Sequence, residues 1–175
     1  MITYIVLLRG INIPGKIVKM DRLRSIFAAM GFQNVRTYIQ SGNVLFEAEE
    51  QSTDLLAEQI VEELQKNFDF PIPVAIRTLN EWEEVIRQNP FPDKEPQVSF
   101  LSGKPSDDAL DKVKSYQDRS DDEIQILGRE VYLVCKGSYH KTLYSNAFLE
   151  RNLQVSSTTR NWKTVNKLLD LSQKP

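Results

Sequence analysis

Histidine and cysteine are almost absent from this sequence. His140 and Cys135 are the only residues of their kinds in a chain of 175. One cysteine cannot form a disulfide within the chain, and a zinc site takes about four ligands, drawn mainly from cysteine, histidine and carboxylates. We therefore expect no metal site and no cofactor, and the motifs supply no catalytic set of serine or cysteine with histidine. Cys135 is interpreted as a small core residue and His140 as a surface residue.

Long apolar runs are also missing. No stretch approaches the roughly 20 apolar residues that cross a bilayer. The N-terminal sequence MITYIVLLRG has neither a basic leader nor a cleavage site of small residues. We therefore expect a cytoplasmic protein that does not enter the membrane. The composition, 41% hydrophobic and 26% charged, is typical of a soluble globular protein.

The charges that are present are distributed unevenly, although the net charge is only -2. Residues 1–46 carry six basic side chains against Asp21 alone, and residues 47–76 carry eight acidic side chains against Lys66. Residues 151–175 are basic again. Two solvated faces of opposite sign would explain this pattern. The alternative is that the two basic ends of the chain meet around an anion.

Apolar spacing in the first half predicts alternating strands and helices. The predicted order is a strand at 3–8, a helix from Met20 to Gly31, a hairpin at 35–48 that turns at Ser41-Gly42, a helix entered at Ser52 or Thr53, and a strand at 71–79. This βαββαβ order is that of a ferredoxin-like domain.

The predicted two-residue turn fixes the register of the hairpin. It places Arg36 opposite Glu47 and Thr37 opposite Phe46, with Ile39 inside the strand. Arg36 then lies on a polar face of the hairpin, where an ion pair with Glu47 is expected.

The second half predicts a β-α-β-β-α order. The elements are a helix capped by Asn80 and Glu83, a proline-rich linker at 89–96, a strand at 97–101, a helix after Ser106, a hairpin at 123–135, a helix near 142–150, and a final helix at 160–171 with Trp162 on its buried side. The fold class predicted is therefore α+β. A ferredoxin-like subdomain of residues 1–79 packs with a second α+β subdomain of residues 80–175.

The stretch GINIPGKI (10–17) follows the first predicted strand and has part of a phosphate-binding loop. Gly10, Gly15 and Lys16 fit the spacing G-x-x-x-x-G-K-[ST]. Ile17 stands where the motif needs a hydroxyl group for Mg²⁺, and the residues after it are poor helix starters. The stretch therefore predicts a glycine-bearing turn that presents donors, not a loop that hydrolyses ATP or GTP.

The segment TTRNWKTV near the C-terminus predicts a helix start of unusual charge. Thr158 or Thr159 would be the N-cap, which places Arg160 and Lys163 in the first turn. The helix dipole puts partial positive charge at this end, so two cations there oppose it. A bound anion would remove the conflict. So would a carboxylate of the protein itself, such as Glu47.

These motifs give the chain a resemblance to a known family. They are LLRGIN (7–12), TYIQSGN (37–43), NPF (89–91), SFLS (99–102), VYL (131–133) and the run from KTLYSNAFLE through TTRNWKTVNKL (141–168). The sequence resembles the bacterial family catalogued as domain of unknown function 1697. The resemblance implies an α+β fold with a ferredoxin-like first part, and it implies no activity. Pro14 and His140 stand where this family commonly has glycine and serine.

We expect this protein to bind a small anionic ligand, bearing phosphate or carboxylate, in a basic cleft formed by the two chain ends. One alternative is an enzyme that acts on a phosphorylated or carboxylated substrate. Another is nucleic-acid binding, against which the pI near 5.5 argues. The oligomeric state is left open. The expected ligand-binding residues are Arg9, Asn12, Lys16, Gln40, Ser41, Asn43, Thr159, Arg160, Asn161 and Lys163.

Overall fold

The computed structural model describes residues 1–174. They divide into two compact units. The first unit consists of residues 1–84 together with the C-terminal residues from 168 onward, and the second unit consists of residues 85–167. The predicted division into a subdomain of residues 1–79 and a subdomain of residues 80–175 stays a prediction.

The first unit has the predicted βαββαβ order. Its elements are β1 Ile2–Leu8, α1 Met20–Ala29, β2 Gln33–Tyr38, β3 Asn43–Ala48, α2 Thr53–Asn67 and β4 Val74–Thr78, followed by α3 Leu79–Arg87. The strands form one antiparallel sheet in the order β2-β3-β1-β4. This is the strand order of a split βαβ fold, so the predicted α+β class and ferredoxin-like topology are confirmed.

β1 lies at the centre of this sheet because it is apolar on both faces. Tyr4, Val6 and Leu8 belong to the core cluster that α1 and α2 cover, while Ile5 and Leu7 on the opposite face are also buried. Helical spacing brings apolar residues of both helices into the same cluster. These are Leu23, Ile26 and Phe27 of α1, and Leu56, Ile60 and Leu64 of α2.

The predicted register of the β2–β3 hairpin is wrong by two residues. Arg36 faces Leu45, and a four-residue loop, Ile39–Gly42, replaces the two-residue turn. Because the shift is even, the side chains that remain in the two strands keep their predicted faces, whereas Ile39 and Gln40 leave the sheet for the loop. The expected ion pair is lost: Arg36 Nη1 donates to the carbonyl of Leu171 at 2.5 Å, and Glu47 instead accepts from Asn34 Nδ2 at 2.9 Å.

The second unit repeats the topology of the first. Its elements are β5 Gln97–Leu101, α4 Asp107–Lys114, β6 Glu123–Leu127, β7 Glu130–Val134, α5 Asn146–Leu153 and β8 Ser157–Arg160, and α6 Trp162–Ser172 follows. The antiparallel sheet has the order β6-β7-β5-β8, which corresponds element by element to β2-β3-β1-β4. The chain therefore builds the same antiparallel fold twice.

β8 corrects the predicted start of the last helix. Thr158 and Thr159 pair with β5, and the N-cap of α6 is Asn161, whose Oδ1 accepts from Thr164 N at 2.8 Å. Arg160 is consequently the last residue of a strand, and it does not oppose the dipole of a first helical turn. Trp162, expected on the buried side of the helix, is only partly buried.

The cap predicted for α3 is also displaced. Glu81 N donates to Thr78 Oγ1 at 3.2 Å, and Thr78 N donates to Glu81 Oε2 at 2.9 Å. This reciprocal pair is a capping box. It begins the helix at Leu79, whereas Asn80 and Glu83 were expected to form the cap.

The core of the second unit contains an unpaired hydroxyl group. Tyr144 is fully buried and packs edge-on against Phe148, with ring centroids 5.5 Å apart. Its Oη finds no hydrogen-bond partner among the described residues. A buried polar group without a partner loses its hydration and gains nothing in return. Burial, and to a smaller extent the charge of Asp122, raise the pKa of this hydroxyl above the ordinary 10.0.

We expect Tyr144→Phe to raise the free energy of unfolding by about 1 kcal/mol, because the unsatisfied group disappears and the ring remains. Tyr144 ionises at a lower pH in the unfolded chain than in the folded chain. The stability that its neutral form contributes is therefore fully present below about pH 10, and it is lost as the pH rises through the higher pKa of the folded state. The variant should therefore lose less stability than the wild type above pH 10. Urea unfolding at pH 7 and pH 10.5 measures both effects, and a destabilised variant at pH 7 would contradict them.

Candidate functional site

Two loops of the first unit meet at the C-terminal end of β1. One is residues 9–19, which follow β1, and the other is the hairpin loop 39–42. Leu8 N donates to the carbonyl of Gly42 at 2.8 Å, and Gly42 lies directly against Ile11. We call residues 9–18 and 39–43 the loop site. It includes six of the residues predicted to bind a ligand: Arg9, Asn12, Lys16, Gln40, Ser41 and Asn43.

Asn12 uses both ends of its amide: one end bonds the hairpin loop, and the other end bonds its own loop. Its Nδ2 donates to the carbonyl of Gln40 at 2.6 Å, and its Oδ1 accepts from Val18 N at 2.9 Å. Its own backbone N donates to the carbonyl of Lys16 at 2.7 Å. The sequence predicted Asn12 as a donor to a ligand, but the structure shows its amide donating within the protein. Asn12 therefore positions the loop site.

The backbone of the loop site has an unusual concentration of positive φ angles. They occur at Gly10 (71°), Asn12 (56°), Gly15 (81°), Ile39 (50°) and Gly42 (90°). Glycine and asparagine adopt this left-handed conformation readily, but a β-branched residue rarely does. Strained conformations of this kind persist where the surrounding structure fixes them, and they cluster at functional sites.

The electrostatics of the loop site are positive. Arg9 and Lys16 are half-buried, and Lys16 forms no ion pair with any of residues 1–174. The one acidic residue among the first 46, Asp21, forms an ion pair with Arg24. The loop site therefore contains two basic residues, in a part of the sequence that has one acidic residue.

The hairpin loop adds polar groups to this site. Gln40 and Ser41 are exposed, while Asn43 is buried. Asn43 Nδ2 donates to the carbonyl of Tyr38 at 2.8 Å and to Ser41 Oγ at 3.1 Å. Asn43 consequently holds the loop closed, and Gln40 and Ser41 are the polar residues of this loop whose exposed side chains can meet a ligand.

The other four predicted residues lie in the second unit, around the end of β8. Thr159 Oγ1 donates to Asn146 Oδ1 at 2.8 Å and shares a 2.7 Å hydrogen bond with Ser99 Oγ. Arg160 is buried, which lowers its pKa from the ordinary arginine value to about 10 and leaves it charged at neutral pH. Asn161 caps α6, and Lys163 is exposed. A joint site of these residues with the loop site stays a prediction.

The repeated topology gives Arg160 a counterpart in the first unit that was not singled out in the sequence. Arg77 precedes the N-cap of α3 as Arg160 precedes the N-cap of α6, and both arginines are buried. Each donates from Nη1 to the carbonyl of the preceding residue, Ile76 at 2.8 Å and Thr159 at 2.9 Å. The signal in the sequence was an arginine at the end of a strand, one residue before the N-cap of the next helix. It went unnoticed because β8 was not predicted.

Other site types receive no support from the described part of the chain. Residues 1–174 contain no group of three histidine, cysteine or acidic side chains that could hold a metal ion. None of the helices in that range is long and apolar enough to cross a membrane. Burial, followed by the charge of Asp122, raises the pKa of the Cys135 thiol despite a hydrogen bond with Thr142. The thiol is therefore mainly protonated at neutral pH, which does not favour nucleophilic chemistry.

Comparison with known proteins gives a family and a fold. The profile of a family described as "Protein of unknown function (DUF1697)" matches residues 1–132. The structure of conserved bacterial protein SP0830 from Streptococcus pneumoniae superimposes with a TM-score of 0.68 at 24% identity, covering 98% of this chain and 99% of that one. No curated protein matches the chain. The likeness to SP0830 supports the fold alone.

Proposed function

The chain belongs to the DUF1697 family of proteins of unknown function, and we propose that it binds a small anionic ligand, bearing phosphate or carboxylate, at the loop site. The observation that carries the proposal is the Asn12 amide, which ties two strained loops together beside Arg9 and Lys16. A surface loop with no ligand to position has little need of such a fixed backbone.

The side chains of the loop site suit anion binding. The Arg9 guanidinium can bind a carboxylate or phosphate through two parallel hydrogen bonds, and the Lys16 ammonium adds a second positive charge. Gln40 and Ser41 supply neutral donors at the opposite loop. Because Asn12 and Gly42 fix the two loops before binding, the loops lose little conformational entropy when the ligand binds.

We expect inorganic phosphate to raise the thermal unfolding temperature in a concentration-dependent way, because a ligand of the folded state stabilises it by mass action. Arg9→Ala and Lys16→Ala should each weaken phosphate binding about tenfold or more, since each removes a charge-assisted contact. Isothermal titration calorimetry at low ionic strength measures the affinities. Acetate and sulfate titrations then show which anion is preferred.

Lys104→Ala is the matched control for this experiment. It removes the same charge from an exposed position in the second unit, and it should leave the affinity unchanged. Equal weakening by Lys104→Ala and Lys16→Ala would show that net charge alone attracts phosphate, and the proposed site would be wrong. Lys163→Ala tests separately whether the predicted residues of the second unit contribute.

A further inference from the structure

Exposed apolar side chains are concentrated at the loop site. The described residues include five large hydrophobic side chains that are exposed: Met1, Ile13, Ile17, Ile39 and Leu55. Three of these five are isoleucines of the loop site, with exposed fractions of 46%, 62% and 47%. Scattered single apolar residues are normal on a protein surface, but a group of three around one polar site is not.

The hydrogen bonds of Asn12 bring the backbone segments that carry the three isoleucines together. Ile13 follows Asn12 and Ile39 precedes Gln40, and Asn12 Nδ2 is bonded to the Gln40 carbonyl. Ile17 follows Lys16, whose carbonyl accepts from Asn12 N. Each isoleucine is therefore covalently next to a residue of the network that joins the two loops, and all three belong to the same loop site as Arg9 and Lys16.

Ile39 is the most informative of the three. It has a φ of 50° and it is exposed, so it combines an unfavourable backbone with an unburied apolar side chain. Asparagine or glycine would adopt the same conformation at less cost. Packing within the first unit leaves 47% of this side chain exposed, so it accounts for only part of the choice of isoleucine. An apolar contact with a bound molecule accounts for the rest.

We propose that the ligand of the loop site is amphiphilic: a small soluble molecule with a phosphate or carboxylate head and an apolar tail. This inference rests on the proposed anion site and adds the tail to it. The head lies against Arg9 and Lys16, and the tail covers Ile13, Ile17 and Ile39. Two cations and three exposed isoleucines in one pair of joined loops match such a molecule in charge and in polarity.

The test is a calorimetric series of inorganic phosphate, ethyl phosphate, butyl phosphate and hexyl phosphate. We expect the affinity of the wild type to rise about fourfold for each methylene that is fully buried. The double variant Ile13→Ser, Ile17→Ser should flatten this dependence on chain length. Ile39→Asn should flatten it as well, and it should fold at least as stably as the wild type because asparagine tolerates the backbone. Leu55→Ser, which removes an exposed leucine from α2, is the control and should keep the full dependence.

The outcomes separate this inference from the anion site. If inorganic phosphate binds and the alkyl chains add nothing, the amphiphilic ligand is excluded while the anion site stands. If none of the four compounds binds, both proposals are wrong. Binding of alkyl phosphates that Lys16→Ala abolishes supports both, even where inorganic phosphate alone is too weak to detect. Binding to vesicles of anionic phospholipid without binding to soluble alkyl phosphates would overturn the inference in favour of a membrane surface.

Discussion

Gly42→Ala is expected to lower the free energy of unfolding by about 3 kcal/mol. A methyl group at this position would lie 2.6 Å from Ile11 Cδ1 and 2.9 Å from Leu8 Cβ. Both distances are well inside van der Waals contact, and the second atom is attached directly to the backbone of β1. The φ of 90° adds strain that glycine alone avoids. The substitution must therefore push the hairpin loop away from β1.

Gly15→Ala is the matched control for Gly42→Ala. Gly15 has a similar φ of 81°, but no atom lies within 4 Å of a methyl group built there. Gly15→Ala should therefore lower the free energy of unfolding through backbone strain alone, by about 1 kcal/mol. Urea unfolding of the two variants separates close approach from backbone strain. Equal losses would mean that the contact between the loop and β1 contributes nothing.

Asn12→Ala is expected to cost about 2 kcal/mol of stability and to abolish detectable phosphate binding. It removes the hydrogen bonds to the Gln40 carbonyl and from Val18 N, each worth about 1 kcal/mol, and it places alanine at a φ of 56°. The loops then separate, and the cations lose their fixed positions. Urea unfolding and phosphate calorimetry on one preparation measure both effects.

Two further variants divide the contribution of Asn12 into parts. Asn12→Gly keeps the backbone conformation and removes both side-chain bonds, whereas Asn12→Asp keeps the acceptor for Val18 N and removes the donor to Gln40. Asn12→Asp turns a carboxylate oxygen toward the Gln40 carbonyl, which repels it, and it should bind phosphate poorly because it adds negative charge beside Lys16. Full phosphate affinity in Asn12→Gly would contradict the positioning role.

The first sheet was predictable because its elements carry clear periodicity. The apolar run 3–8 and the helical spacing after Met20 depend only on neighbouring residues. The four residues Ser157–Arg160 have no apolar alternation, and they form a strand only because β5 offers a partner distant in sequence. Local patterns cannot show such pairing, so polar residues before a helix were interpreted as its cap.

The hairpin shows a second limit of local patterns. Ile39 has high strand propensity, and the sequence therefore placed it inside β2. Its left-handed backbone ends the strand at Tyr38, two residues earlier than predicted, and lengthens the loop. The faces of the strands were nevertheless predicted correctly, because the register shifted by an even number of residues.

The residues of the loop site were named from the sequence, but their roles were only partly predictable. Gly10, Gly15 and Lys16 stand out as a motif, whereas the orientation of an asparagine amide depends on the partner that it meets in space. The exposure of Ile13 and Ile17 could not be inferred from the sequence either, since apolar residues next to glycine are as common in cores as on surfaces. Structure was needed to show that cations and exposed isoleucines share one site.

The most direct test of the anion site is a titration of the ¹⁵N-labelled protein with inorganic phosphate, followed by backbone amide chemical shifts in NMR spectra. If phosphate binds at the loop site, the largest shift changes should occur in residues 10–16 and 40–42, and they should saturate together with one dissociation constant. Changes confined to other parts of the chain, or no saturable change at concentrations where calorimetry reports binding, would contradict binding at this site.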